Sequence, residues 1–192
     1  MSTLRSGGGR LALVSMALAA GFMASIGIAA LAAQPPTAPD VAVKAAFLYN
    51  FAKFAEWPTL APGAPIIVCV VGDDAIATAL VHTTRGKNIS EHPFEIWRPE
   101  ESATWRTCNL LFVAEAERQR SAARLHAIRT LPVLTVSDGR GFSRAGGIIE
   151  LYVEGGRMRF AINVDAAERS RVRLSSRLLG LAKVVRDNSD VE

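Results

Sequence analysis

The feature that most constrains the fold is a continuous apolar run, IIVCVV, which extends from Ile66 to Val71 and precedes a glycine and two aspartates. A short run without polar interruption is typical of a strand that is buried on both faces of a sheet. The residues that follow, DDAIATALVHTT, have the pattern of a helix. Strand, turn and helix in this order are the beginning of an α/β unit.

The same order recurs further along the chain. Strands are predicted near Phe94 to Trp97, in CNLLFV and in LPVLTVSDG, and a charged amphipathic helix, EAERQRSAARLHAIR, follows the second of them. This alternation predicts an α/β fold with a mostly parallel sheet covered by helices. In GGIIELYVEGGRMRFAIN, two alternating runs are joined by Gly155-Gly156, which predicts an antiparallel hairpin at one edge of the sheet.

Two more helices are predicted at the ends of this region. The first, KAAFLYNFAKFAEWP, follows Asp40, which can cap it, and should end before its proline. Its stripe at spacings of three and four is predicted to be core and consists of Phe47, Phe51 and Phe54. Tyr49 and Trp57 flank the stripe, and the sequence leaves open whether they are core or interface. The closing helix is predicted to be capped by Ser175 or Ser176, with an apolar side of Leu178, Leu179, Leu181, Ala182 and Val185.

The N-terminal residues predict export. Residues 1–32 combine basic residues, a long apolar run and Ala30-Leu31-Ala32, which is the pattern of a cleaved signal peptide and places the protein in the periplasm. The apolar run approaches the roughly 20 residues that span a bilayer. The alternative to cleavage is therefore that this segment is retained as a membrane anchor. Residues 33–40 are a Pro-rich linker, 41–187 a single α/β domain, and 188–192 a tail.

Cys69 and Cys108 are the two cysteines of the chain. In an oxidising compartment they can pair, and the closed loop of about 40 residues would then stabilise the fold by on the order of 3 to 4 kcal/mol. The alternative is two buried free thiols that pack as small hydrophobic groups. We predict the disulfide.

Charge and motifs give no sign of catalysis or nucleic-acid binding. The net charge is +4, and the basic residues are dispersed among acids, which suits solvated helix faces better than a phosphate-binding patch. Asp73 and Asp74 follow a buried strand, where a cation site is conceivable, but helix capping explains them more simply. The histidines have no metal-ligand spacing, and Ser137 lacks a nucleophile motif. No catalytic residue, cofactor or metal site is predicted.

Several segments together resemble the YfiR family of small periplasmic proteins, and they occur in order from Val43 to about Arg186. They are VKAAFLYNFAKFAEWP, IIVCVVGDD, CNLLFV, LTVSDGRGF, GGIIELYVEGGRMRFAINVDAA and LSSRLLGLAKVV. The resemblance implies a Rossmann-like three-layer α/β sandwich, a homodimer, and no enzymatic activity. It also implies a role in binding the periplasmic segment of an inner-membrane diguanylate cyclase and keeping it inactive, which lowers cyclic-di-GMP and biofilm formation.

The resemblance also bears on the cysteines and on a partner surface. Cys69 and Cys108 match a cysteine pair of the family, and such members respond to periplasmic redox state through their cysteines. Some relatives carry a second pair around the GF turn, where this chain has Ser143, so a redox response based on two disulfides is in doubt. We place the partner surface around Phe142 of the GF turn, where an exposed ring is expected, and the hairpin Ile148 to Phe160, which includes Tyr152. Trp57, beside the aromatic stripe of the first helix, is a separate candidate for partner binding. The alternatives are a periplasmic small-ligand receptor that acts with a sensor kinase or outer-membrane receptor, and a cryptic enzyme.

Overall fold

The computed structural model describes residues 38–187, which lie in one compact unit. The predicted signal peptide, the first residues of the linker and the tail 188–192 lie outside the described residues. The helices are α1 Ala38–Lys53, α2 Asp74–Thr84, a 3₁₀ helix Ser102–Thr107, α3 Glu115–Ile128, α4 Val164–Arg169 and α5 Ser176–Leu179. The strands are β1 Ala55–Glu56, β2 Ile66–Val71, β3 Asn88–Ile89, β4 His92–Trp97, β5 Leu110–Val113, β6 Leu134–Ser137, β7 Ile149–Glu154, β8 Arg157–Asn163, β9 Arg173–Leu174 and β10 Lys183–Val185.

An eight-stranded sheet has the order β10-β8-β7-β6-β5-β2-β4-β3. Strands β4, β2, β5, β6 and β7 are parallel to their neighbours in this series, whereas β8 and β3 pair antiparallel with β7 and β4. The predicted α/β class and mostly parallel sheet are therefore confirmed. Strands β1 and β9 form a separate antiparallel pair.

The central strands are apolar throughout because both of their faces are covered. Along β2, Val68 and Val70 belong to a core cluster that includes residues of α1 and α2, whereas Cys69 belongs to a second cluster with Trp105 and with Ile128 of α3. Successive side chains of a strand point to opposite faces, so the two clusters lie on opposite sides of the sheet. Each large side chain that is fully buried in them stabilises the fold by about 1.5–3 kcal/mol.

Helix α1 packs into the first of these clusters. Of the predicted stripe only Phe51 is fully buried, whereas Phe47 and Phe54 are half-buried against the cluster. Phe51 is buried and its ring lies 5.1 Å from that of Phe160, while Phe47 lies 5.8 Å from the same ring. Tyr49 is half-buried against Phe94 at 5.5 Å. The helix includes residues 38–40, so Asp40 lies in its first turn instead of capping it, and the predicted linker is shorter than expected.

The predicted hairpin is confirmed, but it does not form the edge of the sheet. Gly155 and Gly156 both have positive φ, 57° and 72°, which allows the tight turn between β7 and β8. The outer side of β8 pairs with β10 in parallel, with Lys183 beside Ala161. The hairpin is therefore the second and third strand from this end.

The predicted closing helix is wrong beyond its first turn. Ser175 caps α5, accepting a hydrogen bond from the Leu178 amide at 3.3 Å, but α5 ends at Leu179 and the chain continues as β10. The backbone groups of residues 183–185 pair with β8, whose outer side would otherwise be an open edge. Val184 and Val185 suit a strand because they are β-branched.

Candidate functional site

An apolar groove of about 890 Å³ lies beside α4 and β9. Its apolar lining is contributed by short, separate segments of the chain. These lining residues are Pro58, Pro132, Val164, Ala167, Val172, Leu174 and Leu179. Their distance in sequence means that only the tertiary structure creates this surface, which we call the C-terminal groove.

The walls of the C-terminal groove are held by backbone hydrogen bonds. Leu174 of β9 pairs with Ala55 of β1, and the Ser175 amide donates to the Phe54 carbonyl oxygen at 3.0 Å. Trp57 is buried, with 7% of its surface exposed, and the two residues after it line the groove. The expectation that Trp57 offers partner-binding surface is wrong for the ring itself, which belongs to the first core cluster.

The rim of the C-terminal groove carries three arginines and one glutamate. Arg186 is paired with Asp165 at 2.9 Å, whereas Arg171 and Arg173 are exposed. Arg171 has φ of 55°, a left-handed conformation that is uncommon outside glycine and costs about 1–2 kcal/mol. This conformation reverses the chain after α4, with the Arg171 amide donating to the Glu168 carbonyl oxygen at 2.9 Å.

A buried polar cluster fixes α4 against the C-terminal residues. Asn163 is fully buried; its Oδ1 accepts from the Ala166 amide at 2.9 Å, and its Nδ2 donates to the Ser143 carbonyl oxygen and to Asp187 Oδ1. Asp187 also pairs with Arg169. Burial acts to raise the pKa of Asp187, but the hydrogen bonds from Asn163 and Arg169 and the charge of Arg169 outweigh it and hold the pKa below its usual value.

The expected exposed ring at the GF turn is not exposed. Phe142 has 3% of its surface exposed, and Ile148 has 1%. The Phe142 ring occupies the space where a side chain would stand at Gly147, since a Cβ added there would collide with it. The sequence shows the large ring, but the small residue that lets it fold inward lies five positions later. Phe142 and Ile148 are therefore core residues, and the prediction that they form a partner surface is wrong.

Tyr152, the remaining predicted partner residue, lies elsewhere. It is half-buried and lines an open cleft with Lys44, Asp138 and Glu150, whereas Phe142 lines a different cavity. The structure therefore does not gather the predicted residues into one surface. The sequence did carry a signal for the C-terminal groove, which is the alternation of Arg171, Val172, Arg173 and Leu174. An alternation of four residues is at the short limit for recognising a strand, so this signal is weak.

The loop after β6 is held by carboxylates. Glu150 accepts hydrogen bonds from the Gly141 amide at 3.0 Å, from the Ser143 amide at 3.1 Å and from the Ser143 hydroxyl at 2.8 Å. Asp138 pairs with Lys44 at 2.5 Å and accepts from the Glu115 amide at 2.8 Å. Polar contacts with Glu150 thus close the loop at Ser143.

Other predicted features have a structural role. Asp73 caps α2 by accepting from the Ile76 amide at 3.0 Å, as expected. Within residues 38–187, no group of three or more potential metal ligands lies together, and no helix is long and apolar enough to cross a membrane.

The predicted disulfide is confirmed. Cys69 and Cys108 are bonded, with Cα atoms 5.9 Å apart. The exposed fractions of the two residues are 0% and 2%, and they pack with Trp105 and Leu111 in the second core cluster. A reductant must therefore reach the bridge through an opening of the core, which is the environment of a structural disulfide.

Fold and groove together define a class, an α/β protein with a disulfide-braced core and an apolar, arginine-rimmed groove. The chain belongs to the YfiR/HmsC-like family, whose model matches residues 41–183. This family consists generally of periplasmic regulators of diguanylate cyclases and is not catalytic in general. The resemblance seen in the sequence is thereby confirmed.

The other comparisons add little. No curated protein matches the sequence. A solved structure that is similar, that of a conserved domain protein from Vibrio cholerae, shares 11% identity with a TM-score of 0.44, over 75% of this chain and 59% of that protein. The chain thus spans less than two thirds of that protein.

Proposed function

We propose that this protein is a periplasmic repressor that binds the periplasmic segment of an inner-membrane diguanylate cyclase and keeps the enzyme inactive. Repression would lower cyclic-di-GMP and with it biofilm formation. Family membership supports the regulatory role. We place the binding surface at the C-terminal groove, because it is an apolar surface with exposed arginines at its rim. This groove replaces the surface expected around Phe142.

The chemistry of the C-terminal groove specifies what its partner presents. The apolar lining from Val172, Leu174 and Leu179 suits apolar anchor residues, because interface cores are depleted in charge. Arg171 and Arg173 are exposed at the rim, where they can pair with carboxylates of the partner. We therefore expect a segment of the cyclase that has apolar anchors flanked by acidic residues.

The Cys69–Cys108 bridge supports a periplasmic location, since disulfides persist in oxidising compartments. Its burial favours a structural role over a redox-responsive one. The proposal includes removal of residues 1–32, a homodimer, and a Rossmann-like three-layer arrangement. N-terminal sequencing of the exported protein should begin at Ala33, and its solution mass should be that of two mature chains.

The experiment combines a cellular readout with a binding assay. Deleting the gene in a host that retains the cyclase should raise the cyclic-di-GMP level. Expressing the wild-type exported protein in this host should return the level to its original low value. Arg171→Glu should fail to return it to this value and should weaken binding to the soluble cyclase segment about tenfold or more, because like charges then face each other. Arg157→Glu, an equal change at the exposed start of β8, is the matched control and should behave as the wild type.

A second variant separates binding from folding. Arg171→Gly removes the rim charge and relieves the left-handed conformation, so it should bind more weakly while being at least as stable as the wild type. If deletion leaves cyclic-di-GMP unchanged, repression is the wrong function. If both Arg171 variants repress normally, the groove is the wrong surface.

A periplasmic small-ligand receptor is the second candidate, because the groove volume of about 890 Å³ lies within the usual range of ligand sites, about 300–1,000 Å³. Such a receptor would act with a sensor kinase or an outer-membrane receptor. A small periplasmic solute that raises the unfolding temperature of the wild type, and not of a variant with Ala167→Trp in the groove, would favour this function.

A further inference from the structure

A smaller cavity of about 240 Å³ lies between α3 and the loop 142–147. Three arginines and a histidine line it, namely Arg118, His126, Arg129 and Arg169. Among the described residues that line this cavity, no aspartate or glutamate is found. It is separate from the C-terminal groove, and we call it the α3 cavity.

The arginines reach the α3 cavity because of their positions on α3. Arg118, Ala122, Leu125 and Arg129 follow one another at spacings of four, three and four, so they lie along one face of the helix. This face meets the loop at Ala145, Gly146 and Gly147. Two exposed arginines of the same helix, Arg120 and Arg124, lie outside the lining.

Arg118 shows the clearest lack of an acceptor. Its side chain lies against Gly139, where an added Cβ would stand 2.7 Å from Cδ and 2.9 Å from Nε. The Nε atom is buried and has no hydrogen-bond partner among the described residues. Leaving a charged donor buried and unsatisfied costs free energy. The Nε atom is closed off from any ligand, so an anion in the cavity would act on the uncompensated charge of the guanidinium group as a whole.

The positive charge of the α3 cavity is not cancelled by neighbouring ion pairs. Arg169 is paired with Asp187, but Arg118 and Arg129 form no ion pair with any residue that the structure describes. The rest of the lining combines apolar Phe142, Leu125 and Ala145 with polar Gln119, Thr135 and Ser170. A ligand that matches the arginines and the apolar residues combines a negative group with a short apolar body.

We propose that the α3 cavity binds a small organic carboxylate, with its charged group against Arg118 and Arg129 and its body toward Phe142. A carboxylate is planar and accepts paired hydrogen bonds from a guanidinium group. The volume of about 240 Å³ limits the body to a small ring or a short chain. The inference is independent of cyclase repression, because it concerns a different cavity and is tested on the isolated protein.

The test uses benzoate, benzamide and inorganic phosphate with isotope-labelled mature protein, followed by NMR. Benzoate at millimolar concentration should shift the amide signals of Gly146 and Gly147 and the side-chain signal of Arg118. Benzamide, which has the same shape without the charge, and phosphate, which has the charge without the body, should bind at least about tenfold more weakly.

Variants assign the binding to the cavity. Arg118→Gln should weaken benzoate binding about tenfold or more, whereas Arg120→Gln, the same change on the exposed side of α3, should leave it unchanged. Should Arg118→Gln fail to fold, Arg129→Gln at the exposed end of the helix applies the same test. Absence of benzoate binding, equal binding of benzamide or of phosphate, or insensitivity to the arginine variants would overturn the proposal.

Discussion

Breaking the Cys69–Cys108 bridge should destabilise the protein by about 4 kcal/mol. The cysteines are separated by 39 residues, and in the chain-entropy model a loop of this length costs the unfolded chain about 4 kcal/mol of entropy when it is closed. A domain has only about 5–15 kcal/mol of stability in total. Cys69→Ala should therefore lower the unfolding temperature by roughly 8–16 °C.

The assay is urea unfolding of Cys69→Ala, of Cys108→Ala and of the double variant. Either single change breaks the same bond, so the double variant should lose about as much stability as each single variant. The intact mass of the wild type should be about 2 Da below that of the reduced chain, because two hydrogens are lost. The control is native wild type incubated with or without a mild reductant and freed of it before unfolding, which should give the same stability because both cysteines are buried in the folded protein.

Two results would refute this reasoning. Complete alkylation of both thiols in the native protein without a reductant would mean that the bridge is absent. Additive losses in the two single variants, or a loss below about 1 kcal/mol, would mean that loop closure does not stabilise this fold as the chain-entropy model requires.

Three further predictions concern the loop after β6 and the C-terminal cluster. Phe142→Ala should cost about 3–5 kcal/mol in urea unfolding, because the buried ring over Gly147 leaves a cavity. Glu150→Gln should cost about 1–2 kcal/mol and speed hydrogen exchange of the Ser143 amide, because charged acceptors are lost. Since the folded-state pKa of Asp187 is lowered, its contribution is full above the unfolded-state value of about 3.9 and is lost as pH falls through the folded value. Asp187→Asn should therefore lower stability at pH 7 and weaken the further loss on acidification below about pH 4.

Each of these has a matched control on the surface. Val153→Ala, with 66% of the residue exposed, should be nearly neutral beside Phe142→Ala. Glu154→Gln at the hairpin turn and Asp74→Asn, whose side chain is 91% exposed and forms a surface ion pair with Arg98, control the acidic variants. Equal losses in a variant and its control would contradict the contacts assigned to Phe142, Glu150 or Asp187.

The sequence by itself determined the parts that depend on local pattern. The apolar run Ile66–Val71 specified a strand covered on both faces, and Gly155-Gly156 specified the hairpin turn. Helix caps were predicted at the pair Asp73-Asp74 and at Ser175 or Ser176, and the structure selects Asp73 and Ser175. Each of these features depends on residues within a few positions of one another, so spacing and composition are sufficient. The bridge was also predictable, because the chain has two cysteines and a signal for export.

Only the tertiary structure decided which backbone groups and surfaces remained open. Residues 183–185 form a strand because β8 offers them an edge, although their apolar spacing also fits a helix. Phe142 turns inward because Gly147 leaves room for its ring. The C-terminal groove and the α3 cavity each combine segments that are distant in sequence, and contacts between distant segments leave no periodic signal in the chain because they are set by how its elements pack.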